Sequence, residues 1–104
     1  MAGVKNDSAK PDLSLLPKAA TWGMANALTY GATKYGRDNY KGGIEYSRLV
    51  AACMRHLTAF MEGEDIDKES GNPHLDHALA SLGMLAYMVE QRPDLDNRYK
   101  DAKK

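Results

Sequence analysis

Apolar residues recur at helical spacing in three separate stretches of this chain. The first predicts a helix from about Pro17 to Thr33, with Ala20, Met24, Ala27, Leu28 and Gly31 on one stripe. Leu13, Leu15 and Leu16 read as an apolar staple at its entrance. Pro17 suits a first turn, where its missing N–H needs no partner. The second stretch, about Tyr46 to Gly63, aligns Leu49, Cys53, His56, Leu57, Phe60 and Met61. His56 is thereby turned toward the interior or a cleft. The third, about Pro73 to Gln91, carries Leu75, Leu79, Leu82, Leu85, Ala86 and Val89 and stops at Arg92-Pro93. Beyond it the tail reads either as a short fourth helix or as a frayed end. No β-branched alternation is long enough for a strand, and no internal repeat is present.

Between the helices lie two polar connections. Residues 30–43, YGATKYGRDNYKGG, predict an irregular segment rich in glycine and tyrosine. Residues 63–73, GEDIDKESGNP, predict a break at Gly63 and a helix restart after Pro73. The fold expected is all-α: one domain, residues 1–104, forming a small bundle of three to four helices. Residues 1–9 and 97–104 are expected to be mobile. Three wide apolar faces cannot all be covered in a chain of 104 residues. A homodimer or homotetramer with a site near the interface is therefore expected.

Composition narrows the function. Fourteen Lys and Arg balance fourteen Asp and Glu, which argues against a duplex nucleic-acid binder but leaves room for one small phosphorylated ligand. Cys53 is the only cysteine, so no internal disulfide forms and a reducing compartment fits. Lying on the apolar stripe without an evident base, Cys53 reads as a buried, inert thiol. The N-terminus has no apolar signal core and no apolar run approaches a membrane span. A soluble, cytoplasmic protein without membrane contact is expected.

The chemistry concentrates in Arg55 to Ala78, which holds all three histidines and six acidic residues. His74 and His77 are spaced i, i+3 and share a helix face, so both can meet one ion or phosphate. The plain alternative is a helix-start pair, with His74 capping and His77 half buried. Asp76 points about 100° away from His77. The acidic loop resembles a calcium loop only superficially, because its glycine falls one place late and position twelve is Asp76. Glu64, Asp65 and Asp67 remain candidates for Mg²⁺ or Mn²⁺, or else form a solvated turn that complements the next helix. Aromatic and basic residues interleaved in residues 30–43 suit a nucleotide, although the tyrosines can equally cover the end of a core.

With these pieces assembled, the chain resembles the small phage and bacterial dATP/dGTP diphosphohydrolases, grouped with MazG-like enzymes. The resemblance rests on Lys10-Pro11 with LSLLP, then LTYGATKYGRDNY, IEYSRL and RHLTAFMEGEDIDKESGNPHLDHALA. It implies an α-helical nucleoside triphosphate pyrophosphohydrolase that cuts between the α- and β-phosphates of purine deoxynucleotides with Mg²⁺ or Mn²⁺. MazG-type enzymes carry Glu-Glu-x-x-Glu on one helix and Glu-x-x-Asp on the next, and the predicted helices here carry neither. The metal set must then differ, or the resemblance covers binding without hydrolysis, as in sequestration of a host signalling nucleotide. The expected roles are Glu64, Asp65 and Asp67 as metal ligands, and His56, His74 and His77 in proton transfer or phosphate binding. Lys10, Lys34 and Arg55 are expected on phosphates, with Tyr35 or Tyr40 on the base and Asn39 nearby. The cytoplasm in question is a host's if the chain is phage-encoded.

Overall fold

A computed structural model describes residues 3–100. The expectations for residues 1–2 and 101–104 lie outside them. Three helices account for the architecture: α1 (Lys18–Tyr35), α2 (Tyr46–Met61) and α3 (His74–Gln91). Short 3₁₀ turns lie at Leu13–Leu15, Asn39–Gly42 and Pro93–Leu95. The last of these occupies the place of the expected fourth helix. Among the described residues the only β-pairing is an isolated bridge between Ile66 and Pro73.

The first helix runs two residues past its expected end. Tyr30 to Tyr35 belong to α1, because Gly31 is tolerated within a helix and Gly36, at φ 97°, ends it. Lys34 and Tyr35 therefore stand on a helical frame. Pro17 is the N-cap and lies just outside the helix. Leu13, Leu15 and Leu16 are exposed instead of stapling the entrance; Asp12 caps their turn through Ser14 N–H.

α3 is central, with α1 on one side and α2 on the other. It meets α1 through small residues. A methyl group at Gly23 would fall 2.5 Å from Asp76 Oδ1 and 3.4 Å from Leu79. Gly83 faces Met24 in the same way. Ala27, Ala78 and Ser81 are buried. Close helix approach thus replaces the large-residue core that the leucine pattern predicted. Leu75, Leu82 and Val89 point outward, as do Leu57, Phe60 and Met61 of α2. α2 packs chiefly on α3, and only part of its apolar face is covered.

The larger core sits at the C-terminal end of α3. Met88 is fully buried against Tyr46 and Leu49, with Tyr40, Ile44, Met84, Leu85, Tyr87 and Leu95 around them. The Tyr46 hydroxyl lies 3.3 Å from the carbonyls of Met88 and Arg92. Asn97 accepts the Ser47 N–H at 3.0 Å and donates to Ser47 Oγ at 2.7 Å, which ties the tail to the start of α2. Cys53 is buried on α2 and its thiol is free.

Gly23→Ala should destabilise the fold by about 1–3 kcal/mol, since the short Asp76 side chain held against Asn26 has little room to retreat. Gly83→Ala, which meets only the flexible Met24 thioether, should cost less. Denaturant midpoints of the two variants check the order.

Candidate functional site

α2 ends in a Schellman turn. Gly63, at φ 93°, lets Glu64 N–H reach the Ala59 carbonyl at 3.0 Å while its own N–H bonds Phe60 O at 3.0 Å. The chain then folds back on itself. Asp67 N–H bonds Asn72 O at 2.8 Å and Gly71 N–H bonds Asp67 O at 2.7 Å. α3 begins without a side-chain cap, so one of its free N–H groups needs another acceptor. The carbonyl of Asp65 supplies it, accepting from His74 N–H at 2.9 Å. The loop is thereby fixed to the start of α3, and the last turns of α2 meet the first turns of α3.

This closure brings all three histidines together. His56 Nδ1 and His74 Nδ1 are 2.9 Å apart. His74 is buried, and its Nε2 lies 2.8 Å from Glu64 Oε1. The His56 ring stacks on His77 with centroids 4.7 Å apart and a 16° tilt. His77 Nε2 lies 2.6 Å from Ser70 Oγ, and Ser70 Oγ lies 2.7 Å from Asp67 Oδ2. Two chains of polar groups result, Glu64–His74–His56 and Asp67–Ser70–His77, joined where the two rings stack. α1 closes one side: the Tyr30 ring meets His77 edge-on at 5.9 Å. Lys34 bonds Glu69 at 2.5 Å and lies over the rings of Tyr30 and Tyr35.

The surroundings set the charges. Burial pushes the His56 pKa below its ordinary 6.5, helped by the neighbouring His77, His74 and Arg55, while Asp67 opposes. Burial raises the Asp67 carboxyl. Hydrogen bonds from the Ser70 side chain and backbone, from the backbone of Glu69, and attraction to His77 outweigh it and leave the pKa below 3.8. The Glu69 carboxylate beside Lys34 holds that ammonium well above its usual range.

The expected residues divide into two groups. His56, His74, His77, Glu64 and Asp67 converge, with Arg55 one residue away on the exposed side of α2. Lys34 reaches the rim through Glu69, and Tyr35 lies exposed beside it. Tyr40 is elsewhere: it packs on the Met88 core, edge-on to Tyr87 at 5.5 Å, so its ring is not free to stack on a base. Asn39 is exposed in the same turn, and Lys10 in a turn before α1; neither side chain has a recorded bond to the histidines. Asp76 faces α1, where Asn26 Nδ2 lies 3.5 Å from its carboxylate.

The metal expectation meets a different geometry. Glu64 is engaged by His74 and Asp67 by Ser70, while Asp65 contributes its backbone to α3. Among the described residues no three His, Cys, Asp or Glu side chains are disposed to hold one ion. The acidic trio thus does not fit a ready-made metal centre. Three residues of the site carried no assigned role in the sequence reading: Ser70, Tyr30 and Glu69. The Asp67-x-x-Ser70 spacing ahead of Gly71 is the signal that marks Ser70, since such spacing favours a local side-chain turn.

A short helical domain with a partly buried three-histidine cluster, two carboxylates and a basic-aromatic rim defines a class of small polar-ligand site. The chain belongs to the dATP/dGTP diphosphohydrolase N-terminal family, whose model matches residues 1–98. A protein of Salmonella phage PMBT28 named dATP/dGTP diphosphohydrolase is 36% identical over 98 residues, covering 94% of this chain and 33% of that protein. The chain therefore spans about a third of the length of that relative. No solved structure matches.

Because folding depresses the His56 pKa, the unfolded chain takes up that proton more readily. Its contribution to stability is full above about 6.5 and falls as pH drops through that value toward the depressed one. Asp67 adds a second loss below 3.8. Thermal midpoints measured across this range should fall on acidification, and His56→Gln should shrink the first step.

Proposed function

We propose that this chain is a nucleoside triphosphate diphosphohydrolase domain acting on purine deoxynucleotides, giving the monophosphate and pyrophosphate. The observation that carries the reading is the convergence of His56, His74 and His77 with Glu64 and Asp67 in a chain of this family. The printed name of the phage relative supports the substrate class.

Such hydrolysis needs a water held in line, a group to take its proton, and neutralisation of the phosphates. The His56 imidazole, kept neutral by burial, suits the second need. Lys34 and Arg55 suit the third, with Lys34 exchanging Glu69 for phosphate. Tyr35, exposed at the end of α1, suits the base. Mg²⁺ or Mn²⁺ belongs to the reading as the ion that accompanies the phosphate chain and offsets its charge. The reading puts this work in the cytoplasm, of a host cell where the chain is phage-encoded. No helix among the described residues is long and apolar enough to cross a membrane.

Assembly completes the reading. Val50, Met54, Leu57 and Met61 form an exposed stripe on α2, beside Leu82 and Val89 of α3. A second copy packing on this face would make four helices of it.

Purified protein incubated with each dNTP and NTP plus Mg²⁺ or Mn²⁺ should release monophosphate and pyrophosphate from dATP and dGTP, as resolved by chromatography. His77→Ala should lower kcat, and Lys34→Ala should mainly raise KM. Tight binding with the nucleotide intact would instead make the chain a sequestering protein. Met54→Glu should shift the assembly to monomer in sedimentation.

A further inference from the structure

The tautomers of the histidine cluster follow from its contacts. A carboxylate only accepts, so at 2.8 Å the Glu64 oxygen fixes a proton on His74 Nε2. With a single ring proton, His74 then has a lone pair at Nδ1. Two imidazole nitrogens 2.9 Å apart cannot both present lone pairs, so the proton between them sits on His56 Nδ1. A shared cation is the other solution, but among the described residues no third acidic, His or Cys side chain joins them in a metal-holding arrangement. The lone pair of His56 is therefore at Nε2. That atom has no recorded hydrogen bond, and no buried side-chain nitrogen or oxygen among the described residues lacks a partner. Nε2 is accordingly open to solvent.

The second chain of groups behaves differently. Asp67, an ionised acceptor, takes the Ser70 hydroxyl proton at 2.7 Å. Ser70 Oγ then accepts from His77 Nε2–H at 2.6 Å and from Asn72 N–H at 3.2 Å. His77 is held through a neutral hydroxyl, with Asp67 Oδ2 3.6 Å from its Nε2. His56 is bonded through His74 to Glu64, so a proton arriving on its Nε2 enters a line of bonded groups that ends on a carboxylate. The stacked rings disfavour a second charge on His77 at the same time.

We propose that His56 is the proton acceptor of this site, presenting the Nε2 lone pair to the attacking water, and that His74 and Glu64 act through it as positioning residues. The assignment rests on the diphosphohydrolase reading above. Water oxygen bonds to the α-phosphorus, the bond from that phosphorus to the bridging oxygen breaks, and its electron pair leaves with pyrophosphate. The water proton moves to His56 Nε2. The imidazolium so formed donates Nδ1–H to His74, whose Nε2–H faces Glu64. Burial of His56 keeps it neutral, and so ready to accept, at neutral pH.

The test combines ring-¹⁵N NMR of the whole chain with kinetics. At a pH of about 8, above the ordinary histidine range, His56 should carry its proton on Nδ1 and His74 on Nε2. His56→Gln should keep nucleotide affinity and lose about 10²-fold or more in kcat. Glu64→Gln, a half-exposed position that will still fold, should lower kcat about tenfold at similar KM, as loss of a group that orients a histidine does. It should also leave His56 as a mixture of tautomers. A proton on His56 Nε2 in the wild type, full turnover by His56→Gln, or displacement of the His56–His74 proton by Zn²⁺ without nucleotide would each overturn the proposal. A wild-type chain with the expected tautomers that leaves every nucleotide intact would overturn the diphosphohydrolase reading and the acceptor role with it, while the hydrogen-bonded chain would stand.

Discussion

The contact between Glu64 and His74 is the constraint on which the rest of the site depends. It joins Glu64, just past the Gly63 turn that ends α2, to the residue that opens α3, across the connecting loop. Without it, His74 would be a buried imidazole with no fixed tautomer, and His56 would have no defined face. With it, a backbone feature and a side-chain feature agree. The Schellman turn at Gly63 brings Glu64 round, and the Asp65 carbonyl satisfies the first N–H of α3.

Much of this was legible in the order of residues. Helical periodicity marked three helices to within two residues at most ends, because their apolar positions are numerous and their breaks are glycine and proline. The histidines were legible as a group because His56 shares a stripe with Leu49 and Cys53, and His74 and His77 share a turn. The end of α1 was misread: Tyr-Gly at residues 30–31 carries a turn signal, yet the roughly three alanine-rich turns before it outweigh one glycine. The core was misread for a deeper reason. Periodicity counts large residues, whereas α1 and α3 approach through Gly23, Ala27, Ala78 and Ser81.

Tyr40 shows the limit of composition as evidence. It sits in a segment of tyrosines, glycines and cations that suits a nucleotide, yet its ring closes the Met88 core. Lys34 and Tyr35, from the same segment, stand at the rim of the histidine site because α1 continues through them. What separates the three is helical phase, and phase is set by where a helix stops. Ser70 shows the converse. Nothing in its type announces a role, but its hydroxyl bridges Asp67 and His77 at 2.7 and 2.6 Å.

His56 and His77 are 21 positions apart, and everything that orients them falls between. The polar cluster is in this sense a local structure, an α-hairpin with its chemistry at the bend. Closing so short a segment sacrifices little chain entropy, so the bend can organise as soon as α2 and α3 meet. α1 is topologically separate: it reaches the cluster only by docking on α3, through Gly23 and Met24 at one level and Tyr30 at another. Assembly of the reactive groups and enclosure of those groups thus rest on different contacts. The second is governed by how closely two backbones can approach at Gly23 and Gly83.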